Sequence, residues 1–259
     1  MFHIDNEFDE LKRVLMCKPT KGKGTAESNQ FTQILNLLLR YDCTVTFLPN
    51  NPSLPEQIFT RDVAFVIGNT LYSGILNRHR AAEREHYHHY LNEQHLQFVA
   101  LKNHIEGGDV LVHGEVVFVG ESGRTSQAGI AELRELVGST RRILSIPFPP
   151  RFLHLDCIFN ILDRDHCLIF PPAFDSQTYT ILTETFAHIL IVSDHEQPTL
   201  ATNLLTIATK TVIAASNNPE TASILRLWGW TVLTLNLTEF IDERGGIRCL
   251  TQPWVRKTK

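Results

Sequence analysis

Residues 98–137 read FVALKNHIEGGDVLVHGEVVFVGESGRTSQAGIAELRELV, and this stretch contains one complete unit of the fold. The apolar periodicity predicts a strand at Phe98–Leu101, then a hairpin formed by Asp109–Val112 and Val116–Val119. A helical period follows over Gln127–Val137. The unit is therefore a strand, a loop, a hairpin and a helix, in that order.

The same order of elements recurs along the whole chain. Helices are predicted near Ser28–Tyr41, Arg80–Glu93, Gln127–Val137, Thr178–Ala187 and Glu220–Trp228. The strands between them include a long one at Leu153–Leu162 and a last one at Thr231–Leu235, which is followed by a loop at Ile247–Leu250. Repeats of this length indicate a propeller or a solenoid, and five units around an axis can close on themselves. Because no linker interrupts the pattern, we expect a single α/β domain over residues 1–259.

Composition and charge exclude several classes of protein. The chain has 259 residues, of which 43% are hydrophobic and 20% charged, and its formal net charge is −4. No apolar run approaches the roughly 18 residues of a membrane helix, and the negative charge argues against a nucleic-acid binder. The first residues, MFHIDNE, lack the basic region and apolar core of a secretory signal. We therefore expect neither a membrane nor a nucleic acid as a partner.

The cysteines and histidines give no sign of a disulfide framework or a metal site. The five cysteines are irregularly spaced and contain no CxxC pair, which indicates a reducing compartment and a cytoplasmic location. His86 and His89 share one face of the second helix without completing a ligand set, so no metal is expected. Cys249 stands apart from the other cysteines, because it follows Gly245 and Gly246 in a loop-like, cationic stretch.

One polar residue stands before the hairpin of each unit: Asp62, Glu106, His154, Asn203 and Cys249. Successive positions differ by 44, 48, 49 and 46 residues. Equivalent positions in a closed ring point at one axial pocket, which would gather a thiol, an imidazole and carboxylates, as nucleophilic catalysis requires. A single polar residue at a strand start is more often a turn residue, so a structural role stays open for each.

The rim of the expected pocket has two further features. Arg80 and Arg124 each lie 18 residues after the polar residue of their unit, between a hairpin and a helix, so both are expected to reach the same rim. Gly22 and Gly24 indicate a flexible loop, a candidate lid over the pocket.

Five short segments around these positions resemble the guanidine-modifying enzymes, which include dimethylarginine dimethylaminohydrolases, arginine deiminases and amidinotransferases. The segments are FTRD (59–62), EGGD (106–109), GESGRT (120–125), LHLD (153–156) and RCLT (248–251). They occur in the order typical of that superfamily, the penteins. The resemblance implies a five-bladed, pseudo-symmetric α/β propeller of ββαβ repeats, in agreement with the five units.

The resemblance also implies three catalytic roles. Cys249 would be the nucleophile, His154 the general acid and base, and Glu106 the residue that holds His154 and one edge of a guanidinium. A thiolate would attack the guanidinium carbon, and His154 would protonate the leaving amine. Water activated by His154 would then hydrolyse a covalent thiouronium. This scheme needs no metal and no cofactor.

The substrate-binding roles follow from the same resemblance. Asp62 and Asp156 would accept hydrogen bonds from the remaining guanidinium N–H groups. Arg80 and Arg124 would clamp the α-carboxylate of the substrate, a task that suits the planar fork of arginine. Arg248 has two interpretations, a residue that tunes the thiol or a surface residue.

The resemblance leaves the substrate open. Hydrolysis of arginine or an N-methylated arginine to citrulline plus ammonia or amine, as in dimethylarginine dimethylaminohydrolases, suits the compact chain. Arg61 and Asp156 instead resemble arginine deiminases and arginine dihydrolases, which would be specific for unmethylated arginine, since two carboxylates leave little space for N-methyl groups. An amidinotransferase is the third choice, and Arg80 and Arg124 argue against members that act on agmatine.

A catalytically silent propeller that binds a partner through its surface is a hypothesis of a different class. Ribosome anti-association factors have a similar five-fold architecture without a thiol, imidazole and carboxylate set. The presence of Cys249, His154 and Glu106 together favours the enzyme. The expected partner is a small guanidino amino acid, and the sequence leaves the oligomeric state open, a homo-oligomer included.

Overall fold

The computed structural model describes residues 1–20, 25–54 and 56–257. Gly22 and Gly24, the residues of the candidate lid, lie outside the described residues. The strands are β1 (Glu10–Cys17), β2 (Thr44–Leu48), β3 (Ala64–Ile67), β4 (Thr70–Ile75), β5 (Val99–His104), β6 (Val110–His113), β7 (Val116–Glu121), β8 (Arg142–Pro147), β9 (Phe159–Ile161), β10 (His166–Ile169), β11 (His188–Ile191), β12 (Leu205–Ala208), β13 (Thr211–Ala215), β14 (Thr231–Leu235) and β15 (Gln252–Lys257). The helices are α1 (Ala26–Arg40), α2 (Thr60–Val63), α3 (Ala81–Glu93), α4 (Gln127–Val137), α5 (Ser176–Thr185), α6 (Pro219–Leu227) and α7 (Thr238–Asp242).

The strands form five three-stranded sheets with one shared topology. The sheets are β15-β1-β2, β3-β4-β5, β6-β7-β8, β9-β10-β11 and β12-β13-β14. In each sheet the first pair is antiparallel and the second pair is parallel. A parallel pair needs a crossover, and α1, α3, α4, α5 and α6 each supply one. This arrangement confirms the predicted five-bladed α/β propeller of ββαβ repeats.

The two ends of the described chain complete one blade together. β15 pairs antiparallel with β1, placing Lys257 opposite Glu10 and Pro253 opposite Val14. Pro253 is tolerated because β15 is the edge strand of its sheet. The last predicted strand, Thr231–Leu235, is β14, and the predicted loop at Ile247–Leu250 is a turn, whereas β15 and β1 were not predicted. No local sequence pattern predicts the pairing of β1 with β15, because the two strands are far apart in the sequence.

Short side chains set where several helices begin. The Thr25 and Ser126 hydroxyls accept hydrogen bonds from the first turns of α1 and α4, and the Asp175 carboxylate does the same for α5. The cap at Asp175 explains why α5 begins two residues before the predicted helix at Thr178.

The third repeat departs from its prediction in a way that matters for the site. The expected strand at Leu153–Leu162 is a short 3-10 turn at Leu155–Cys157, followed by a strand of only three residues, β9. Residues 154–162 are all buried, the polar ones included, so the pattern of apolar residues does not separate a turn from a strand. The turn directs His154 and Asp156 toward the end of the sheet.

The hydrophobic core is divided among clusters between the sheets and their helices. In the part of the chain described here, no helix is long and apolar enough to cross a membrane. That residues 1–259 form a single domain stays a prediction.

Candidate active site

The five predicted polar residues meet at one end of the propeller, each just before the first strand of its sheet. His154 contacts both Glu106 and Asp62. The Asn203 amide donates a hydrogen bond to the Cys249 sulfur at 3.5 Å. The main-chain N–H of the residue before Asp62 donates to the carbonyl oxygen of Cys249 at 3.1 Å. The turns of all five blades thus converge as the repeat spacing predicts.

His154 lies between two carboxylates. Its Nε2 is 2.7 Å from Oε2 of Glu106, and its Nδ1 is 3.6 Å from Oδ1 of Asp62. The three side chains are at most 4% exposed, and such burial strengthens the interactions among their charges. A Cβ atom at Gly108 would lie 2.7 Å from the imidazole, so only glycine lets this loop approach the ring.

The two carboxylates hold the imidazole in its charged form. Burial alone would lower the pKa of His154, but the charge of Asp62 and the hydrogen bond that His154 donates to Glu106 raise it to about 10. Burial would likewise raise the pKa of Glu106, yet His154 lowers it to about 2. Burial dominates at Asp62 and raises its pKa, although His154 and Arg80 act in the opposite direction. At neutral pH the structure therefore favours an imidazolium beside a Glu106 carboxylate.

Among the residues that the structure describes, Oδ1 of Asp62 and Nδ1 of His154 have no hydrogen-bond partner, and the two atoms lie 3.6 Å apart. Buried polar atoms are nearly always satisfied, so an unpaired carboxylate oxygen points to a missing donor. Asp62, Glu106 and His154 also place one potential metal ligand each within 4.8 Å of one another. A metal ion binds a neutral imidazole, whereas the neighbouring carboxylates raise the pKa of His154 and favour its charged form.

The Cys249 thiol is 3% exposed at the edge of this cluster. Burial raises its pKa far above the usual range, and the carboxylates of Asp156 and Asp62 raise it further. The N–H of Gly246 and the Asn203 amide lower the pKa by less. These influences favour the protonated thiol, and a cation that offset the nearby carboxylates would lower the pKa of Cys249.

Asp156 is fully buried and held by an arginine of the protein. Nε of Arg248 lies 3.3 Å from its Oδ2, and Nη2 of Arg248 lies 3.1 Å from Oε2 of Glu7. Glu7 also pairs with Arg61 at 3.1 Å. Burial would raise the pKa of Glu7, but Arg61 and Arg248 lower it to about 2. Arg248 is 1% exposed, so its interpretation as a surface residue is wrong.

Arg80 does not lie open at the rim. It is 2% exposed, and its Nη1 is 2.6 Å from Oδ2 of Asp62. Glu83 accepts hydrogen bonds from both Nε and Nη2 of Arg80, at 3.0 and 2.9 Å. The structure pairs this guanidinium with the protein's own acids, and its role in a carboxylate clamp stays a prediction.

Arg124 differs from Arg80 in its surroundings. Its side chain is 20% exposed, and its Nη1 lies 3.5 Å from Oε1 of Glu106. The Ser122 hydroxyl accepts a hydrogen bond from the main-chain N–H of Arg124, and itself donates to Asp109. Asp109 also accepts from the N–H of Leu155, the residue after His154. Asp109 thus ties the turn of Arg124 to the turn of His154.

Comparisons with known proteins show which family this chain belongs to. A sequence profile of the family described as N,N dimethylarginine dimethylhydrolase, eukaryotic, matches residues 8–256. Since the match takes in nearly the whole chain, the protein belongs to this family. The family is one of enzymes, and the predicted resemblance to guanidine-modifying enzymes is confirmed.

Three relatives show the range of proteins that this chain is similar to. Uncharacterized protein YkgA of Bacillus subtilis (strain 168) is 31% identical, with 96% of this chain and 94% of the relative covered. An arginine deiminase of Bacillus cytotoxicus is 27% identical over 79% of this chain, which spans only 62% of that protein. A dimethylarginine dimethylaminohydrolase of Mycobacterium tuberculosis is 25% identical, and the match covers 86% of this chain and 74% of that protein.

Solved structures show the same fold. The N-terminal domain of ArgZ, an arginine dihydrolase from the ornithine-ammonia cycle in cyanobacteria, matches with a TM-score of 0.85 and 20% identity, covering 96% of this chain and 98% of that domain. SxtG, an amidinotransferase from Microseira wollei, matches with a TM-score of 0.83 and 17% identity, covering 100% and 98%. The chain spans 40% of the longer ArgZ protein.

Sequence reasoning missed two acidic residues that organise the site, Glu7 and Glu83. Glu83 follows Arg80 by three residues at the start of α3, a spacing that places two side chains on one helix face. That spacing is a usable signal. No comparable sequence signal pointed to Glu7, because its partners Arg61 and Arg248 are far from it in the sequence.

Proposed function

We propose that this protein hydrolyses a guanidino C–N bond of arginine or an N-methylated arginine through a covalent intermediate on Cys249. One observation supports this most strongly. A buried imidazolium and two carboxylates lie beside a buried thiol, and one carboxylate oxygen, Oδ1 of Asp62, accepts no hydrogen bond from the described residues. A planar cation with several N–H donors satisfies that oxygen and balances the charge. The products would be citrulline and an amine or ammonia.

The first step is binding of the guanidinium. Oδ1 of Asp62 accepts one N–H, Glu106 accepts another, and Asp156 faces the cation from the side of Arg248. Charge-assisted hydrogen bonds of this kind contribute roughly 1.5–3 kcal/mol each. They also fix the plane of the guanidinium, so that its central carbon faces the sulfur.

The bound cation then activates the thiol. Asp156 and Asp62 contribute to the raised pKa of Cys249, and a guanidinium between them compensates their charge. The thiol proton is released to solvent, and the thiolate attacks the central carbon. A tetrahedral adduct forms, with a new bond between sulfur and carbon.

His154 completes both halves of the reaction. Its pKa of about 10 means that it holds a proton when the adduct forms, and it donates this proton to the leaving nitrogen. The C–N bond breaks, amine departs and a thiouronium remains on Cys249. The neutral His154 then takes one proton from water, whose oxygen attacks the carbon; when the C–S bond breaks, the sulfur takes up the remaining proton of that oxygen, which leaves the ureido product and restores the thiol. General acid–base catalysis of this kind contributes about 10²–10⁴-fold to the reaction rate.

An arginine deiminase or arginine dihydrolase specific for unmethylated arginine is the second candidate. The observation that favours it is the position of Asp156, which is fully buried and raises the pKa of Cys249 together with Asp62. Acids on both sides of the cation leave little space for methyl groups on its nitrogens. The arginine deiminases among the relatives also favour this candidate.

One assay separates these functions. The purified protein is incubated with arginine, monomethylarginine, dimethylarginine and agmatine, and both the ureido product and the released amine are measured. Citrulline from a methylated arginine supports the first candidate, and citrulline or ornithine from arginine alone supports the second. No ureido product and no released amine from any of the four compounds would contradict both.

A further inference from the structure

We propose that the guanidinium of Arg256 holds a small inorganic anion of the size of chloride on the edge formed by its Nε and Nη2. Arg256 lies on β15 opposite Leu11 of β1 and is 1% exposed. Its Nη1 donates to the carbonyl oxygens of Asp9 and Thr206, at 2.6 and 2.8 Å. Its Nε and Nη2 are buried and have no hydrogen-bond partner among the residues that the structure describes.

The two unpartnered nitrogens form the edge with which an arginine binds a carboxylate or another anion in bidentate fashion. The N–H of Nε and one N–H of Nη2 point the same way, so a single acceptor can receive both. Arg80 uses this edge in the same molecule, where Glu83 accepts from Nε and Nη2 at 3.0 and 2.9 Å. No carboxylate of the described chain occupies the same edge of Arg256.

The charge of Arg256 is also left without a counterpart. The acid whose charge acts on it is Glu7, but Oε1 of Glu7 pairs with Arg61 and its Oε2 with Arg248, both at 3.1 Å. Arg248 in turn pairs with Asp156 at 3.3 Å. Three buried guanidiniums therefore share two buried carboxylates, and a buried charge without a partner is strongly destabilising. An anion beside Arg256 supplies the missing negative charge.

The protein's own groups near Arg256 do not replace this anion. Burial raises the pKa of the Cys43 thiol to about 12, although Arg256 acts in the opposite direction, so the sulfur carries no charge at neutral pH. The Thr206 hydroxyl is a further buried group without a partner in the described residues, and a hydroxyl can donate to an anion. A water molecule could bridge such donors, but it would leave the charge of Arg256 unbalanced.

Thermal unfolding of the full chain tests the proposal while chloride replaces gluconate at constant ionic strength, so that charge screening stays the same. The proteins are the wild type, Arg256→Gln and Arg142→Gln. Arg142→Gln is the matched control, because it makes the same chemical change at an exposed strand position, on β8.

The Tm of the wild-type and Arg142→Gln proteins should rise by roughly 2–5 °C for each tenfold increase in chloride above the Kd, because an anion that binds only the folded state stabilises it. Arg256→Gln should lose this dependence. If Arg256→Gln does not fold, Arg256→Lys gives the same comparison. A lysine keeps the charge but lacks the paired N–H groups, so the Kd of chloride should rise by roughly tenfold or more.

Crystals of the wild-type protein grown with bromide locate the ion. An anomalous bromide peak should lie in contact with Nε and Nη2 of Arg256, and a water molecule or no peak at this edge would overturn the proposal. Equal Tm values in chloride and gluconate would overturn it even with a bromide peak, since the ion would then be an adventitious ion only. A chloride dependence that Arg256→Gln retains would place the ion elsewhere. These results are independent of whether the protein releases amine from a guanidine.

Discussion

Replacing Glu106 by Gln changes the electrostatics of the site with almost no change in volume. In the folded protein the pKa of His154 is raised from 6.5 to about 10. At about 1.4 kcal/mol per pKa unit this corresponds to about 5 kcal/mol of stabilisation, shared among Asp62, Glu106 and Asp109. The 2.7 Å hydrogen bond makes Glu106 a main contributor. We therefore expect Glu106→Gln to lower the free energy of unfolding by about 2 kcal/mol.

The direction of the pH dependence follows from the two pKa values. Because the folded-state pKa of His154 is raised, its stabilisation is complete below pH 6.5 and is lost as the pH rises to about 10. The pKa of Glu106 is lowered from 4.5 to about 2, so its stabilisation is present above pH 4.5 and lost as the pH falls toward 2. The deficit of Glu106→Gln should therefore be largest between pH 4.5 and 6.5 and should shrink toward pH 10.

Urea unfolding of the wild-type and Glu106→Gln proteins across this pH range measures the difference in their free energies of unfolding. NMR titration of the His154 ring measures its pKa directly. Glu106→Gln should lower the pKa of His154, and Glu85→Gln on the exposed face of α3 serves as the control. A deficit that is the same near pH 6 and near pH 10 would refute the reasoning. So would a wild-type His154 that titrates at the ordinary value of 6.5.

Three further predictions concern individual residues of the site. Cys249→Ser should abolish turnover and leave the thermal unfolding curve nearly unchanged; near-normal activity would end the covalent mechanism. Alkylation of Cys249 by iodoacetamide in the ligand-free protein should keep rising past pH 9.0, because burial raises the thiol pKa above that value; a plateau near neutral pH would contradict this. Asp109→Asn should slow turnover by roughly tenfold or more, because Asp109 links the turns of Arg124 and His154; steady-state kinetics with arginine measure this, and an unchanged kcat would show that the link is dispensable.

Most of the architecture was predictable because it repeats. The spacing between Asp62, Glu106, His154, Asn203 and Cys249 identified the five blades, and the apolar periods located the helices that connect their parallel strands. Five weak local patterns support one another when they share a period. This redundancy allowed the fold to be inferred without any long-range information.

The elements that were missed depend on partners far away in the sequence. β1 and β15 pair across the two ends of the described chain, and no local period indicates that pairing. The turn at Leu155–Cys157 was mistaken for a strand because both would be apolar and buried. Local patterns cannot distinguish such alternatives, since the tertiary context decides between them.

Within the site, the sequence identified residue types at the right positions but not their pairing. The spacing predicted that Arg80 and Arg124 lie at the same end of the propeller. Only the structure shows that Arg80 forms ion pairs with Asp62 and Glu83. The same holds for Arg248, which could have faced solvent and instead supports Asp156. Which donor meets which acceptor is set by side-chain geometry that spacing does not contain.

Mass spectrometry of the protein after a rapid acid quench during turnover tests the central claim most directly. With arginine or a methylated arginine as substrate, the wild-type chain should gain the mass of the substrate less its leaving amine, and digestion should locate this mass on the peptide that contains Cys249. If product accumulates while that peptide never carries the added mass, and Cys249→Ser retains its activity, attack by this thiol is excluded.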